Sequence, residues 1–152
     1  MRVAGVGDPR RVLAAALAAL EAAGLPLEAI SPSIASDPLG PSTRRYANAA
    51  ALVASDLDPP ALLAVLQRIE HAFGRRRRGG RWRARPLDLD IVLWSGGTWL
   101  NAALIIPHPE FRHRAFVLGP ASTAAPRWRD PMTGLALRHL HARLTRPRPL
   151  LR

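Results

Sequence analysis

The stretch Arg85-Pro86-Leu87-Asp88-Leu89-Asp90-Ile91-Val92-Leu93-Trp94 constrains the fold of this chain more than any other segment. Two carboxylates at i and i+2 are set into an apolar run, the pattern of a β-strand buried on one face. Leu87, Leu89 and Ile91 then enter a core, and Asp88 and Asp90 share the opposite face. Neighbouring carboxylates repel unless a cation stands between them. A hard divalent ion such as Mg²⁺, held through carboxylates and phosphate oxygens, meets that need. Taken alone, the pattern reads better as a half-buried strand with a solvated acidic face.

The approach to the strand changes that balance. From Gly74 to Arg85, seven of twelve residues are Arg, three are Gly and one is Trp82. Glycines favour a mobile loop, and guanidiniums stay charged and bind phosphate oxygens bidentately. A cationic loop leading into two metal-binding carboxylates suits a triphosphate carrying Mg²⁺. Trp82 offers a face for a base or a guanidinium. The run alone does not separate this from a solvated loop or a nucleic-acid patch.

All 22 basic residues are Arg, and the net charge of +11 predicts affinity for polyanions. With 152 residues, 48% of them hydrophobic, the chain is long enough for one domain with a real core and too apolar for disorder. It has no Cys, hence no disulfide framework and no thiol chemistry. No apolar run approaches the roughly 18 residues that span a bilayer, and no cleavable signal pattern precedes the Ala-rich segment after Arg10 and Arg11. A soluble cytoplasmic protein is expected.

Asp8 and Pro9 predict a helix start, with helix to about Ala23 and a stop at Gly24 and Pro26. Residues 27–35 alternate weakly and, because Pro32 cannot donate to a ladder, predict an edge strand. Arg45 to Ser55 reads as a second strand. Asp58 and Pro59 open another helix, to about Phe73, with Leu62, Leu66, Ile69 and Phe73 on one stripe. After the Asp88/Asp90 strand, Gly96-Gly97 makes a turn and 98–106 a short extended piece. Pro107 to Arg114 reads as a loop or single turn, and helix follows at 115–123 and near 135–144. This order predicts an α+β fold, helices on one face of a mostly antiparallel sheet, as one domain over 1–152 with a frayed tail from 144. A ferredoxin-like plait would begin with a strand before the first helix; here that strand is missing or reduced.

Further candidates follow from residue type. Tyr46 and Asn48 share one strand face, and an amide suits the edge of a heterocycle as well as a strand end. Gln67 and Glu70 share a helix face. Prolines hold His108 in an extended loop; His108 and Arg114 suit phosphates, and Phe116 suits a flat ring. His139 and His141 read as surface residues.

Together these segments resemble the 6-hydroxymethyl-7,8-dihydropterin pyrophosphokinase family of the folate pathway. The resemblance rests on Pro38-Leu39-Gly40, Tyr46-Ala47-Asn48-Ala49, Gln67-Arg68-Ile69-Glu70, Gly74-Arg75 through Trp82 and Arg85 to Leu87-Asp88-Leu89-Asp90-Ile91, Ile106-Pro107-His108-Pro109 through Arg114 and Phe116, and Ala125-Pro126 with Trp128, Asp130 and Gly134. It implies a ferredoxin-like fold and transfer of pyrophosphate from ATP, the co-substrate, to the pterin hydroxymethyl group with release of AMP. It further implies that Asp88 and Asp90 hold two Mg²⁺ ions and that Arg75, Arg77, Arg85 and Arg114 neutralise phosphate charge. Gln67, Glu70, Trp82, Ile91 and His108 would line the nucleotide site. Asn48, Tyr46, Phe116 and the loop carrying Asp37 and Leu39 would hold the pterin. The family opens with an apolar strand ending in Gly-Ser-Asn, which this chain lacks. The expected partners are the two small substrates, with no membrane, no nucleic acid and a monomeric state. Two other readings stand beside this one: a shortened, inactive homologue that binds nucleotide, and an Arg-rich nucleic-acid-binding module. The second would need exposed aromatics on central strands, and aromatics are only 5% of the chain.

Overall fold

Leu13, Ala16 and Leu20 recur at three- and four-residue spacing and form the buried stripe of the first helix. This computed structural model describes residues 1–4, 8–36, 46–75 and 87–149. Helix α1 (Pro9–Ala22) begins as its sequence predicts: the Asp8 carboxylate accepts the Arg10 N–H at 3.1 Å, and Pro9 stands where a missing N–H costs nothing. Gly24 follows its end at φ 84°, a left-handed conformation that favours glycine. Replacing Asp8 by Ala removes the cap and is expected to lower stability by about 1 kcal/mol, read as a lower urea midpoint at unchanged slope.

Strand β1 (Arg2–Ala4) precedes α1, so a strand stands before the first helix. It lies inside a four-stranded antiparallel sheet, between β4 (Tyr46–Asn48) and β6 (Leu87–Asp88), with β3 (Ile34–Ser36) at the outer edge of β4. The expected strand over 27–35 is split into β2 (Leu27–Ile30) and β3, and that over 45–55 into β4 and β5 (Ala51–Val53). The cause is local. Pro32 has no N–H for a ladder, and Ser31 bridges the break: its N–H donates to the Ala50 carbonyl at 2.9 Å, and its Oγ accepts the Ala50 N–H at 2.8 Å. Beyond the break β2 and β5 pair as a separate antiparallel ribbon.

Helix α2 (Pro59–Arg75) turns Val65, Leu66 and Ile69 toward α1, and both helices cover Ala47, Leu87 and Leu89. After β6 the chain stays extended, turns at Gly97 (φ 97°), and forms a hairpin of β7 (Trp99–Leu100) and β8 (Ile105–Ile106). A single 3₁₀ turn at Phe111–His113 leads into α3 (Ala115–Ala124), and a loop leads to α4 (Leu137–Thr145). These last elements own a second core of Phe111, Leu118, Ala121, Leu137 and Leu140, which takes in Ala50, Val92 and Leu93. The expectation of helices on one face is therefore corrected. α1 and α2 cover one face, while Phe116 in the first turn of α3 lies over the other, with its ring 4.9 Å from the Arg2 guanidinium. A second apolar cluster needs its own cover, and α3 and α4 supply it. The architecture is α+β: among the described residues, four helices with small antiparallel sheets.

Candidate active site

Register decides which side chains meet. Arg2 stands directly opposite Asn48 on one side and Asp88 on the other, so these three share a face of the sheet, as does Tyr46, two residues from Asn48. This is the face away from α1 and α2. Leu87 and Leu89 are buried beneath and pin the segment. Asp88 is thereby half-buried and Asp90 exposed, the alternation expected of them. Both carboxylates favour the charged form of the Met1 amino group; burial, the larger effect, keeps that group below its ordinary pKa. Both acids line one cleft. Glu70 supports the segment from α2, its Oε2 accepting the Leu89 N–H at 3.1 Å.

A cleft of ≈ 840 Å³ opens there, lined among others by Arg2, Asn48, Asp88, Asp90, Ile91, His108, Arg114 and Phe116, and it runs on past β5 toward Leu62 and Leu66 of α2. That is the size of a site for small organic ligands. Asn48 is almost fully buried, and its Nδ2 donates to Ser36 Oγ at 2.8 Å and, more weakly, to the Ile34 carbonyl at 3.4 Å. The His108 N–H donates to the Val92 carbonyl at 2.9 Å, and His108 Nδ1 accepts the Glu110 N–H at 3.1 Å. The neutral ring then carries its proton on Nε2. Arg114 stands at the N-cap position of α3 without a side-chain hydrogen bond to the helix, its guanidinium 6.0 Å from the Phe116 ring. The 3₁₀ turn between His108 and Arg114 is clamped from behind: the Arg112 guanidinium donates to Asp130 through Nε at 2.6 Å and Nη2 at 2.7 Å.

Of the residues predicted from sequence, Asp88, Asp90, Ile91, His108, Arg114, Phe116 and Asn48 come together at the cleft. Tyr46 lies beside it, under Arg2. Gln67 is exposed on α2, and Gln67 and Glu70 are not among the cleft-lining residues. Arg75 is the last residue of α2. Asp37, Leu39, Arg77, Trp82 and Arg85 lie outside the described residues. Arg2 was not foreseen: it sits in a short Gly-rich segment with no periodicity.

Chemically, the cleft offers two hard-oxygen acids, an arginine cation, an imidazole, a buried amide and an aromatic ring. Among the described residues no group of three or more His, Asp or Glu could hold a metal. Two carboxylates still fit Mg²⁺, which takes one or two carboxylates and completes its shell with phosphate oxygens and water.

The profile of the 7,8-dihydro-6-hydroxymethylpterin-pyrophosphokinase (HPPK) family matches residues 4–126. The chain belongs to the HPPK family. Within it, the chain is 42% identical over 130 residues to a 2-amino-4-hydroxy-6-hydroxymethyldihydropteridine pyrophosphokinase of Pseudomonas aeruginosa, covering 83% of this chain and 78% of that one. It is 39% identical over 112 residues to the enzyme of that name from Synechocystis sp., covering 74% of this chain and 57% of the relative, little more than half its length. Over 76 residues it is 43% identical to a folate synthesis bifunctional protein of Arabidopsis thaliana, which covers 50% of this chain and 16% of that one. The HPPK match takes in the whole Asp88-to-Phe116 side of the cleft.

Proposed function

We propose that this chain is a pyrophosphokinase of folate synthesis, transferring the β,γ-diphosphate of ATP to the hydroxymethyl oxygen of 6-hydroxymethyl-7,8-dihydropterin. The pterin oxygen bonds to the β-phosphorus, the bond from that phosphorus to the α-phosphate oxygen breaks, the hydroxyl proton is lost, and AMP leaves. The observation that carries this reading is the register that sets Asp88, Asn48 and Tyr46 on one sheet face beneath Phe116, in a member of the HPPK family.

Catalysis in phosphoryl transfer is mainly positioning and charge stabilisation. Asp88 and Asp90 would hold two Mg²⁺ ions, which neutralise phosphate charge when bound with ATP. Arg114 adds a cation to the same cleft, and His108 offers an Nε2–H donor to the nucleotide. Ile91 gives the nucleotide site an apolar wall. Asn48 has its amide N–H groups engaged by β3, so its carbonyl is the group offered to the pterin edge. Tyr46 and Phe116 supply ring faces. Arg75, Arg77 and Arg85 serve the phosphates, Gln67, Glu70 and Trp82 the nucleotide, and Asp37 and Leu39 the pterin. The succession β1, α1, β2 with β3, β4 with β5, α2, β6 supports a ferredoxin-like plait. Residues 1–152 are read as one pyrophosphokinase domain, monomeric and cytoplasmic; no helix among the described residues is long and apolar enough to cross a membrane.

Purified protein given ATP, Mg²⁺ and the hydroxymethyl pterin is expected to release AMP, and to release none when either Mg²⁺ or the pterin is left out. Folded protein that forms no AMP under any of these conditions would overturn the proposal.

A further inference from the structure

Arg2 occupies a place that the proposed reaction gives to a substrate. Its guanidinium carbon lies 3.7 Å from the centroid of the Tyr46 ring and 4.9 Å from that of Phe116. A guanidinium is planar and stacks on aromatic faces as a flat heterocycle does. Arg2 Nε and Nη2 are buried and have no hydrogen-bond partner. Buried donors are normally paired; with two of the three guanidinium nitrogens unpaired, the pose rests mainly on the ring contacts. The backbone leaves little freedom to relocate the residue, since β1 is paired on both sides, Arg2 opposite Asn48 and opposite Asp88. Only the side chain, with its flexible stem, can leave.

Resting on the pyrophosphokinase reading, we infer that Arg2 is a displaceable plug of the pterin slot. In the free protein its guanidinium fills the aromatic slot beside Asn48, and the substrate ring enters only when Arg2 swings out. Arg2 therefore sets pterin affinity from inside the site: apparent affinity is lowered by the fraction of molecules whose slot is open.

The test combines binding and NMR on the full chain, with and without Mg²⁺ and a non-hydrolysable ATP analogue. In arginine-labelled protein, the side-chain signals of Arg2, assigned by their loss in Arg2→Ala, are expected upfield of the other arginines because two rings shield them. Addition of 6-hydroxymethyl-7,8-dihydropterin is expected to return them to the ordinary position. Arg2→Ala is expected to bind the pterin roughly tenfold more tightly, as for a slot open in about a tenth of molecules. Arg2→Lys, charged but not planar, is expected to fall between the two and guards against an alanine variant that does not fold. Pterin that binds while the Arg2 signals stay shifted, or variants that bind it equally or more weakly, would overturn the plug and leave the pyrophosphokinase reading intact. Absence of pterin binding by wild type and variants alike would overturn both.

Discussion

Asp88→Ala and Asp90→Ala are each expected to lower pterin-dependent AMP release by on the order of 10³-fold, the scale of losing a preorganised group that stabilises charge in the transition state. The structure makes this a sharp test, because the two acids stand on a pinned segment. Leu87 and Leu89 are anchored under α1 and α2, and Glu70 holds the Leu89 N–H. Truncating a carboxylate therefore removes the ligand without letting the backbone slide. Asp90 is exposed, so its replacement is expected to change stability by less than about 0.5 kcal/mol, which separates loss of chemistry from loss of fold. The isosteric Asp90→Asn keeps shape and removes charge; it is expected to lose nearly as much and to need more Mg²⁺ for its residual rate. Melting temperature, AMP release and a Mg²⁺ titration read the three effects apart. Activity within tenfold of wild type in Asp90→Ala and Asp90→Asn, at saturating ATP and limiting Mg²⁺, would remove Asp90 from the metal-binding role.

What the sequence makes legible here is what depends on near neighbours. The start of α1 follows from Asp8 and Pro9, its end from Gly24, and part of the buried stripe of α2 from the spacing of Leu66 and Ile69, though Val65 beside them was not foreseen. The alternation around Asp88 and Asp90 is legible for the same reason, and its core partners Leu87 and Leu89 are where the period of two puts them. The length of that strand is not legible. Among the described residues, β1 pairs with Leu87 and Asp88, and pairing between strands far apart in sequence is not written in either one. Past them the chain stays extended without a ladder, and the Val92 carbonyl is met by His108 from a segment sixteen residues on. The kink at Ser31 and Ala50 depends on two residues nineteen apart, and α3 crosses to the far face because a second core forms there. Arg2 illustrates the same limit at the site. Nothing in Met1 to Ala4 marks it, and only the register beside Asn48 and Asp88 brings it under Phe116.

Asp130→Ala is expected to lower stability by about 3 kcal/mol, and the melting temperature by roughly 6–12 °C. Asp130 is fully buried, and each of its oxygens is taken: Arg112 Nε and Nη2 form a two-pronged contact, the Met132 N–H donates at 3.0 Å and the Thr133 hydroxyl at 2.8 Å. Breaking one side of a buried ion pair costs about 3–5 kcal/mol. The lower end applies because the Arg112 side chain, 24% exposed and lying over the Phe111 ring, still reaches water. Burial pushes the Asp130 carboxyl up, but the hydrogen bonds from Arg112, Met132 and Thr133 outweigh it and hold its pKa below the usual carboxylate range. The sign follows. Below about pH 4 the unfolded chain binds a proton that the folded chain refuses. The stability this group supplies is therefore complete above that pH and is lost as pH falls through the depressed folded value. Melting curves of wild type and Asp130→Asn should differ by a constant amount from about pH 5 to 7 and converge in stronger acid. A difference that is the same at pH 3 as at pH 7 would show that packing, not the ion pair, holds the loop. The consequence reaches the cleft, because Arg112 sits in the turn between His108 and Arg114. Without its anchor that turn loses the contact that fixes it to the α3–α4 loop, and the two groups proposed to meet the phosphates, His108 and Arg114, lose their positions together.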